Sequence, residues 1–507
     1  MAAAKSDHEG KLSQRAPGAP STALFDGYDS IAGELRASAL KGTQHESGPS
    51  TTARIAVCEG MTELTQALNI DQSLAIEFGE SGKIDEKLEF SRNQKATTES
   101  LSIVVHVRHT VKTITAKELT PKFALDPAKL ADFVAQYGDS YVDSVALGGE
   151  YHAVYTFHSQ TTEDQKTLKA SLEGMVAKAG NKVEAKVVVE IQEFAKRTET
   201  AWTFNQRLSG VNETLPKQDA IADFADRFPT MEFRNPVVID RSIARYENVE
   251  GLTTRGTFDP VIDNREYFVG SGGLLRTLVK LAARKNKVEW IQAIHACYGY
   301  KGDAELARLK TALETDREAI RAQLLEYRKN PLKKFTPPPL PSLAKGTPVL
   351  QYEKGISPQW GRKTGDGQFN YPPVERALQS RLRLASVQLR ASNYADKITM
   401  VYRNIHGDWG PWSIGGYGGG GTQQNLVSLD SNEFVQRVDV RHGEIIDRLE
   451  ITTTAGVKTS AGGSGGEPAS FEAKDGQVIL GFQGTGTVDI QTLQVVWVKL
   501  KDSTYVG

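Results

Sequence analysis

Cysteine is nearly absent from this chain: Cys58 and Cys297 are the only two among 507 residues. A disulfide framework is therefore excluded, and a single bridge cannot be inferred from sequence. Neither sign of charge is in excess, with 61 Lys and Arg against 62 Asp and Glu, so nothing in the composition asks for nucleic acid. No run of about eighteen apolar residues exists, so no helix is expected to span a membrane, and insertion into a bilayer would require refolding. The opening stretch MAAAKSDHEGKLSQRAPGAPS lacks the apolar centre of a signal peptide and reads as a flexible tail over 1–22. The expectation is a soluble protein made without a classical signal and released by another route. Catalytic signatures are missing too: there is no G-x-S-x-G, no H-E-x-x-H and no kinase set. His106 and His109 supply two positions of a metal site on an expected strand, with no third ligand nearby in sequence. No catalytic residue, metal or cofactor is expected.

What the chain does have is glycine, 46 residues of it, and enough length to require two or three domains. Its organising stretch is YGDSYVDSVALGG, from Tyr137 to Gly149. A helix is expected before it, with Asp126 as cap, Pro127 in the first turn, and Leu130, Phe133, Val134 and Tyr137 on one face. A strand is expected after it, because Tyr151, Ala153, Tyr155 and Phe157 alternate with His152, Val154 and Thr156. Another strand precedes it: Leu101, Ile103, Val105 and Val107 alternate with Ser102, Val104, His106 and Arg108. Val104 spoils that polar face, so burial on both sides is equally open. A Gly pair between helix and strand calls for a sharp bend or a close backbone approach.

Tyr137, Gly138, Tyr141, Gly148 and Gly149 match, at the same spacing, a signature that resembles that of the membrane attack complex/perforin (MACPF) family. Asp139 and Ser140 depart from the family's usual Thr/Ser-His pair. Gly27, Tyr28 and Asp29 are similar to a Gly-Tyr-Asp segment near the start of such proteins. The resemblance implies a cholesterol-dependent-cytolysin-like fold, a bent antiparallel sheet flanked by two helical clusters. It further implies that both clusters unfurl into membrane β-hairpins within a ring of subunits.

Residues 159–200 give that implication a place. The first half is compatible with a helix carrying Leu168, Leu172 and Met175 on one face, and equally with a strand. The second half alternates as a strand, Val183, Ala185, Val187, Val189 and Ile191 opposing Lys182, Glu184, Lys186, Glu190 and Gln192. Gly180-Asn181 suits the hairpin turn. A membrane strand needs about 9–11 residues with apolar and polar positions alternating, because only a closed barrel satisfies every backbone group in lipid. An ordinary surface strand would show the same alternation.

Residues 232–330 read as helical, with Asp303 capping a helix that carries Leu306, Leu313, Ile320 and Tyr327 seven apart; Asp316 and Gln323 interrupt its second seam. Residues 331–373 hold nine prolines and read as a stiff extended spacer. Beyond them the chain repeats itself. Val387–Met400 aligns with Val438–Ile451, a looser third copy runs from Ile479 through Asp489 to Val495, and Gly-rich runs follow the first two. Three strand–turn–strand units suggest three antiparallel sheets about a pseudo-threefold axis.

With its Gly-rich runs, this region resembles the jacalin-related lectins of the β-prism fold. The resemblance implies a glycan site made by a Gly-rich loop, here Gly415, Gly416, Tyr417 and Gly418, and a Gly-x-x-x-Asp loop, here Gly484, Gly486 and Asp489. The family spacing of four is missed by one on either side. The expected architecture is thus α+β, with a MACPF domain over 23–330, a linker over 331–373 and an all-β prism over 374–507. A fragment beginning near Gly365 is expected to fold alone. The expected function is that of a soluble pore-forming toxin or defence protein, monomeric until it meets a target-cell membrane through a glycan or lipid head group. There it would assemble into a ring. The alternative is a non-lytic carbohydrate-binding protein on the same scaffold.

Overall fold

The computed structural model describes residues 23–70, 86–97, 99–159, 162–178, 185–197, 200–234, 236–252, 256–362, 367–370, 373–404, 412–415 and 421–506. Two strands dominate the N-terminal half, β5 (Ser100–Pro121) and β6 (Ser140–His158), paired antiparallel along almost their whole length. Each long strand is flanked by two shorter ones in tandem. Beside β5 lie β3 (Leu40–Ser47) and β4 (Ser50–Glu59); beside β6 lie β7 (Ala201–Ser209) and β8 (Val237–Arg245). The result is four ribbons wide; the two outer ribbons break at one level, where β5 also shifts register. β8 stops at Gly148, β7 starts at Glu150, and β5 shifts register between Thr110 and Lys112.

Close approach explains the Gly pair. A Cβ on Gly148 would lie 2.0 Å from the His109 carbonyl oxygen, and one on Gly149 would lie 2.5 Å from the Phe233 ring and 2.7 Å from the Ser209 oxygen. Positive φ is needed instead at Gly138, where φ is +79° and the helix α3 (Leu130–Tyr137) ends.

The two faces of the sheet carry different helices. Tyr151, Ala153, Tyr155 and Phe157 join Leu101, Ile103, Val105 and Val107 on one face, under α4 (Thr162–Lys178) and α5 (Ala185–Arg197). The other face packs Val104 and Val154 beneath α1 (Gly60–Ala67) and α2 (Glu86–Asn93). β5 is therefore buried on both sides, which is why Val104 broke the alternation.

The strand expected at 182–192 is corrected: residues from Ala185 onward form α5. Val187 and Ile191, four apart, are buried against the sheet, while Val189 points away and is 46% exposed. Val183 and the expected Gly180-Asn181 turn lie outside the described residues, as does the side chain of Ala185.

The Gly-Tyr-Asp segment meets the signature directly. β1 (Gly27–Asp29) pairs with β6 through Gly27↔Tyr141 and Tyr28↔Ser140. Asp139 is fully buried and accepts hydrogen bonds from the Ser30 amide (2.7 Å), the Ser30 hydroxyl (2.6 Å) and Arg265 Nε (2.6 Å). Arg265, on α7 (Asp259–Val269), also forks onto Glu247. Arg265→Ala is expected to lower stability by about 3–5 kcal/mol in chemical denaturation, because it leaves a buried carboxylate without its cation. A loss below about 1 kcal/mol would contradict that role.

The C-terminal half contains three four-stranded antiparallel sheets, each a central hairpin with two outer strands. The hairpins are β11 (Leu382–Ala391) with β12 (Ala395–Asn404), β15 (Val435–His442) with β16 (Ile446–Thr453), and β19 (Gln477–Gly486) with β20 (Ile490–Val506). The outer pairs are β13 (Trp412–Gly415) and β14 (Thr422–Ser428), β17 (Lys458–Gly462) and β18 (Glu467–Glu472), and β9 (Thr347–Ile356) and β10 (Gln368–Phe369).

The spacer expected over 331–373 is corrected by the same pairing. β9 hydrogen-bonds along β20, and Leu350 and Trp360 are buried in the prism core. This strand tolerates its one proline, Pro348, because β9 lies at a sheet edge and Pro348 is near its start. The core also continues into α8 (Leu274–Cys297) and α9 (Ala304–Lys329), so helices and prism share one cluster. Asp316, which interrupts the α9 seam, is buried and accepts from the Ser342 amide and hydroxyl at 2.9 and 2.5 Å.

Candidate functional site

The three prism hairpins close with one shared turn geometry. In each, the first turn residue donates its N–H to the carbonyl two residues on: Ser392 to Tyr394, Gly443 to Ile445, Thr487 to Asp489. The closing pairs are Ala391↔Ala395, His442↔Ile446 and Gly486↔Ile490. The residue after each closing pair is Asp396, Asp447 and Gln491. Two units therefore carry an aspartate at this level and the third carries a glutamine.

The third copy, read as running from Ile479 through Asp489 to Val495, thus carries Gln491 and not Asp489 at the level of the other two aspartates. The hairpin closes at Gly486↔Ile490, which leaves Asp489 at the turn tip, two residues before the level of the other two aspartates. Gly484 pairs with Phe369 and Leu493, and a Cβ there would lie 2.0 Å from the Thr492 oxygen and 2.9 Å from the Phe369 ring. Gly486 pairs with Ile490 and is buried. Both glycines thus answer to strand packing.

Asp447 has the surroundings of a binding carboxylate. It is half-buried, and no hydrogen-bond donor reaches its carboxylate among the described residues. Glycines frame it. A Cβ on Gly465 would lie 2.8 Å from Oδ1, one on Gly466 2.4 Å from Oδ2, and one on Gly443 3.9 Å from Oδ2. Any side chain at 465 or 466 would fill the space against those oxygens. The Gly-rich segment is pinned by the Gly463 amide donating to the Asp447 carbonyl (2.9 Å) and by Arg441 donating to the Gly466 carbonyl (2.9 Å). On the other side, beyond β9, the Arg362 amide donates to the Glu444 carbonyl (3.0 Å).

Asp396 differs. It is buried, accepts from the Ser392 hydroxyl at 3.0 Å, and has Gly421 pressed so close that a Cβ there would lie 2.1 Å from Oδ2. Its carboxylate is already engaged. Gly415 ends β13, on the sheet of Asp396 and not on that of Gly484; Gly416, Tyr417 and Gly418 lie outside the described residues. Gly443 and Asp447 were missed, although the second repeat, HGEIID, carries the glycine and aspartate four apart that the 484–489 loop lacks.

A carboxylate ringed by glycine backbone suits a ligand rich in hydroxyl groups. Such groups donate to the carboxylate and accept from main-chain amides, and only glycine lets a ring approach that closely.

A family model described as the jacalin-like lectin domain matches residues 357–496. Similar solved structures include the wild-type Malaysian banana lectin, at 19% identity, covering 29% of this chain and 98% of that one, with a TM-score of 0.25. Others are a mannose-binding jacalin-related lectin from Ananas comosus (16%, 28% and 96%, 0.22) and a mannose-specific one from Morus nigra in complex with mannose (16%, 29% and 94%, 0.24). No enzyme family is among these matches. Residues 357–496 carry a jacalin-like lectin domain.

Proposed function

We propose that this chain is a glycan-directed pore-forming protein of the MACPF type. The lectin domain binds a glycan on a target-cell membrane, and the N-terminal half assembles there with further copies into a ring. Its helical clusters then refold into membrane hairpins. One observation carries this reading. Each pair of helices is inserted between two adjacent antiparallel strands, at the end where their ladder stops. α1 and α2 lie between β4 and β5, whose last pair is Glu59↔Leu101; α4 and α5 lie between β6 and β7, whose last pair is His158↔Ala201. Unfurling either pair extends an existing hairpin in register without moving the sheet. The segments 60–99 and 159–200 give about twenty residues per strand, well above the 9–11 or so a bilayer needs. No described helix is long and apolar enough to cross a membrane.

The lectin half is tested separately. Asp447→Asn is expected to weaken binding on a glycan array by about 10–100-fold, the worth of losing hydrogen bonds to a charged acceptor. Unchanged binding would move the site to another turn. Dye release from liposomes bearing the bound glycan then separates the pore former from a non-lytic lectin. Glycan binding without release would favour the lectin.

A further inference from the structure

The N-terminal sheet holds a second polar constellation that neither the lectin nor the pore reading uses. Glu150 and His152 lie two apart on β6 and so project from one face. His106 on β5 is the direct cross-strand partner of His152. All three are at most 3% exposed, and one ligand atom from each lies within 4.8 Å of the others. His109, the other histidine of β5, is no part of this set: it bonds Thr51 and stacks on Phe233. The other two ligands were invisible in sequence because they come from a strand over forty residues away.

We propose that His106, Glu150 and His152 form a binding site for a divalent transition-metal ion, zinc by ligand type. Two residues at i and i+2 on one strand, with a third opposite on its neighbour, present three side chains to one point without any loop. Two imidazoles and a carboxylate are the protein ligands of open zinc sites, with water taking the fourth position. Ligand atoms about a tetrahedral zinc sit about 3.3 Å apart, given bonds of about 2.0–2.1 Å. The present spread contracts to that by side-chain rotation, chiefly of the two rings, now stacked with centroids 4.3 Å apart.

The second, independent observation is lost hydrogen bonding. Neither ring nitrogen of His152 has a partner among the described residues, and His106 Nε2 has none closer than the Glu150 oxygen at 3.6 Å. Buried polar atoms left so are rare, and an ion that satisfies them is one of the few explanations. Burial also holds both imidazoles neutral, the form that ligates, by pushing their pKa values down.

One group competes. The Lys87 ammonium of α2 sits 2.7 Å from Glu150, where it supplies the cationic charge that the ion would bring. Arg108 is 3.8 Å from the same carboxylate but is committed to Asp240 at 3.0 Å. Metal and Lys87 are therefore alternatives at Glu150. Because Lys87 is carried by α2 and all three ligands by the sheet, an ion in the site removes one anchor of α2.

The test titrates Zn²⁺ into the full-length protein by calorimetry and follows Co²⁺ by visible absorption, which reports four-coordination directly. Lys87→Met is expected to tighten Zn²⁺ binding at least ~10-fold, equal to about 1.4 kcal/mol. His152→Gln, His106→Gln and Glu150→Gln should each weaken this one equivalent by about 100-fold or more in the Lys87→Met background. Each variant is compared only where its thermal transition remains cooperative. The proposal is overturned if Lys87→Met binds no Zn²⁺. It is equally overturned if binding survives all three ligand substitutions, which would place the ion on other histidines.

Discussion

Replacing Val189 by arginine is expected to leave the protein folded and its glycan binding intact while abolishing membrane permeabilisation. In the helix α5, Val189 faces outward and is nearly half exposed, so a long charged side chain is accommodated in solvent. In a barrel strand the same residue joins Val187 and Ile191 on the lipid face, because strand alternation has period two. Arginine near the bilayer midplane costs about 2–4 kcal/mol, and a ring repeats that cost in every subunit. Val187→Arg would not separate the two states, since Val187 is already buried beneath α5 and a charge there would damage the soluble fold. The informative companion is Lys186→Glu, exposed in the helix and lumen-facing in the strand. It should permeabilise liposomes with altered ion selectivity. Undiminished dye release by Val189→Arg would remove this segment from the membrane.

A lectin fragment beginning at Gly365 is expected not to fold, whereas one beginning at Pro341 melts cooperatively. The shorter piece lacks β9, which pairs with β20 from Val496 to Val506, and it lacks Leu350 and Trp360. Truncating either of those side chains alone typically costs about 2–5 kcal/mol, and a whole edge strand goes with them. Thermal melts of both fragments decide the point. A cooperative transition in the shorter fragment would show that β9 is dispensable. Residues 331–373 read as a spacer because their proline density masks the apolar positions between the prolines. In fact the proline-rich turn leads into an edge strand, where a missing N–H matters least.

Much of the architecture was legible because it is periodic. The alternation through 101–108 and 151–157 placed both long strands, and the heptad from Leu306 to Tyr327 placed the buried seam of α9. The repeat from Val387 to Val438 placed two hairpins with the correct partners. The failures have physical causes as well. Residues 185–192 satisfy both periods: Val187, Val188 and Ile191 make a helical stripe, and Val187, Val189 and Ile191 make a strand face. Sequence alone could not say that the helical period is the one this structure adopts. The third repeat misled because its aspartate, Asp489, stands at the turn tip, two residues before the level that Gln491 occupies. The role of Asp139 was not legible because its partners, Ser30 and Arg265, lie more than a hundred positions away on either side.

The proposed refolding of α5 is tested most directly by placing a single cysteine at 189, or at 186, and attaching an environment-sensitive dye. The native thiols will interfere little. Cys58 and Cys297 are both buried, and desolvation pushes each up to about 12, far from the reactive thiolate. On liposomes bearing the glycan ligand, the dye at 189 should move from water to lipid as permeabilisation proceeds, while the dye at 186 stays in water. Lysis with both dyes remaining in water would contradict the assignment of 185–192 as a membrane strand.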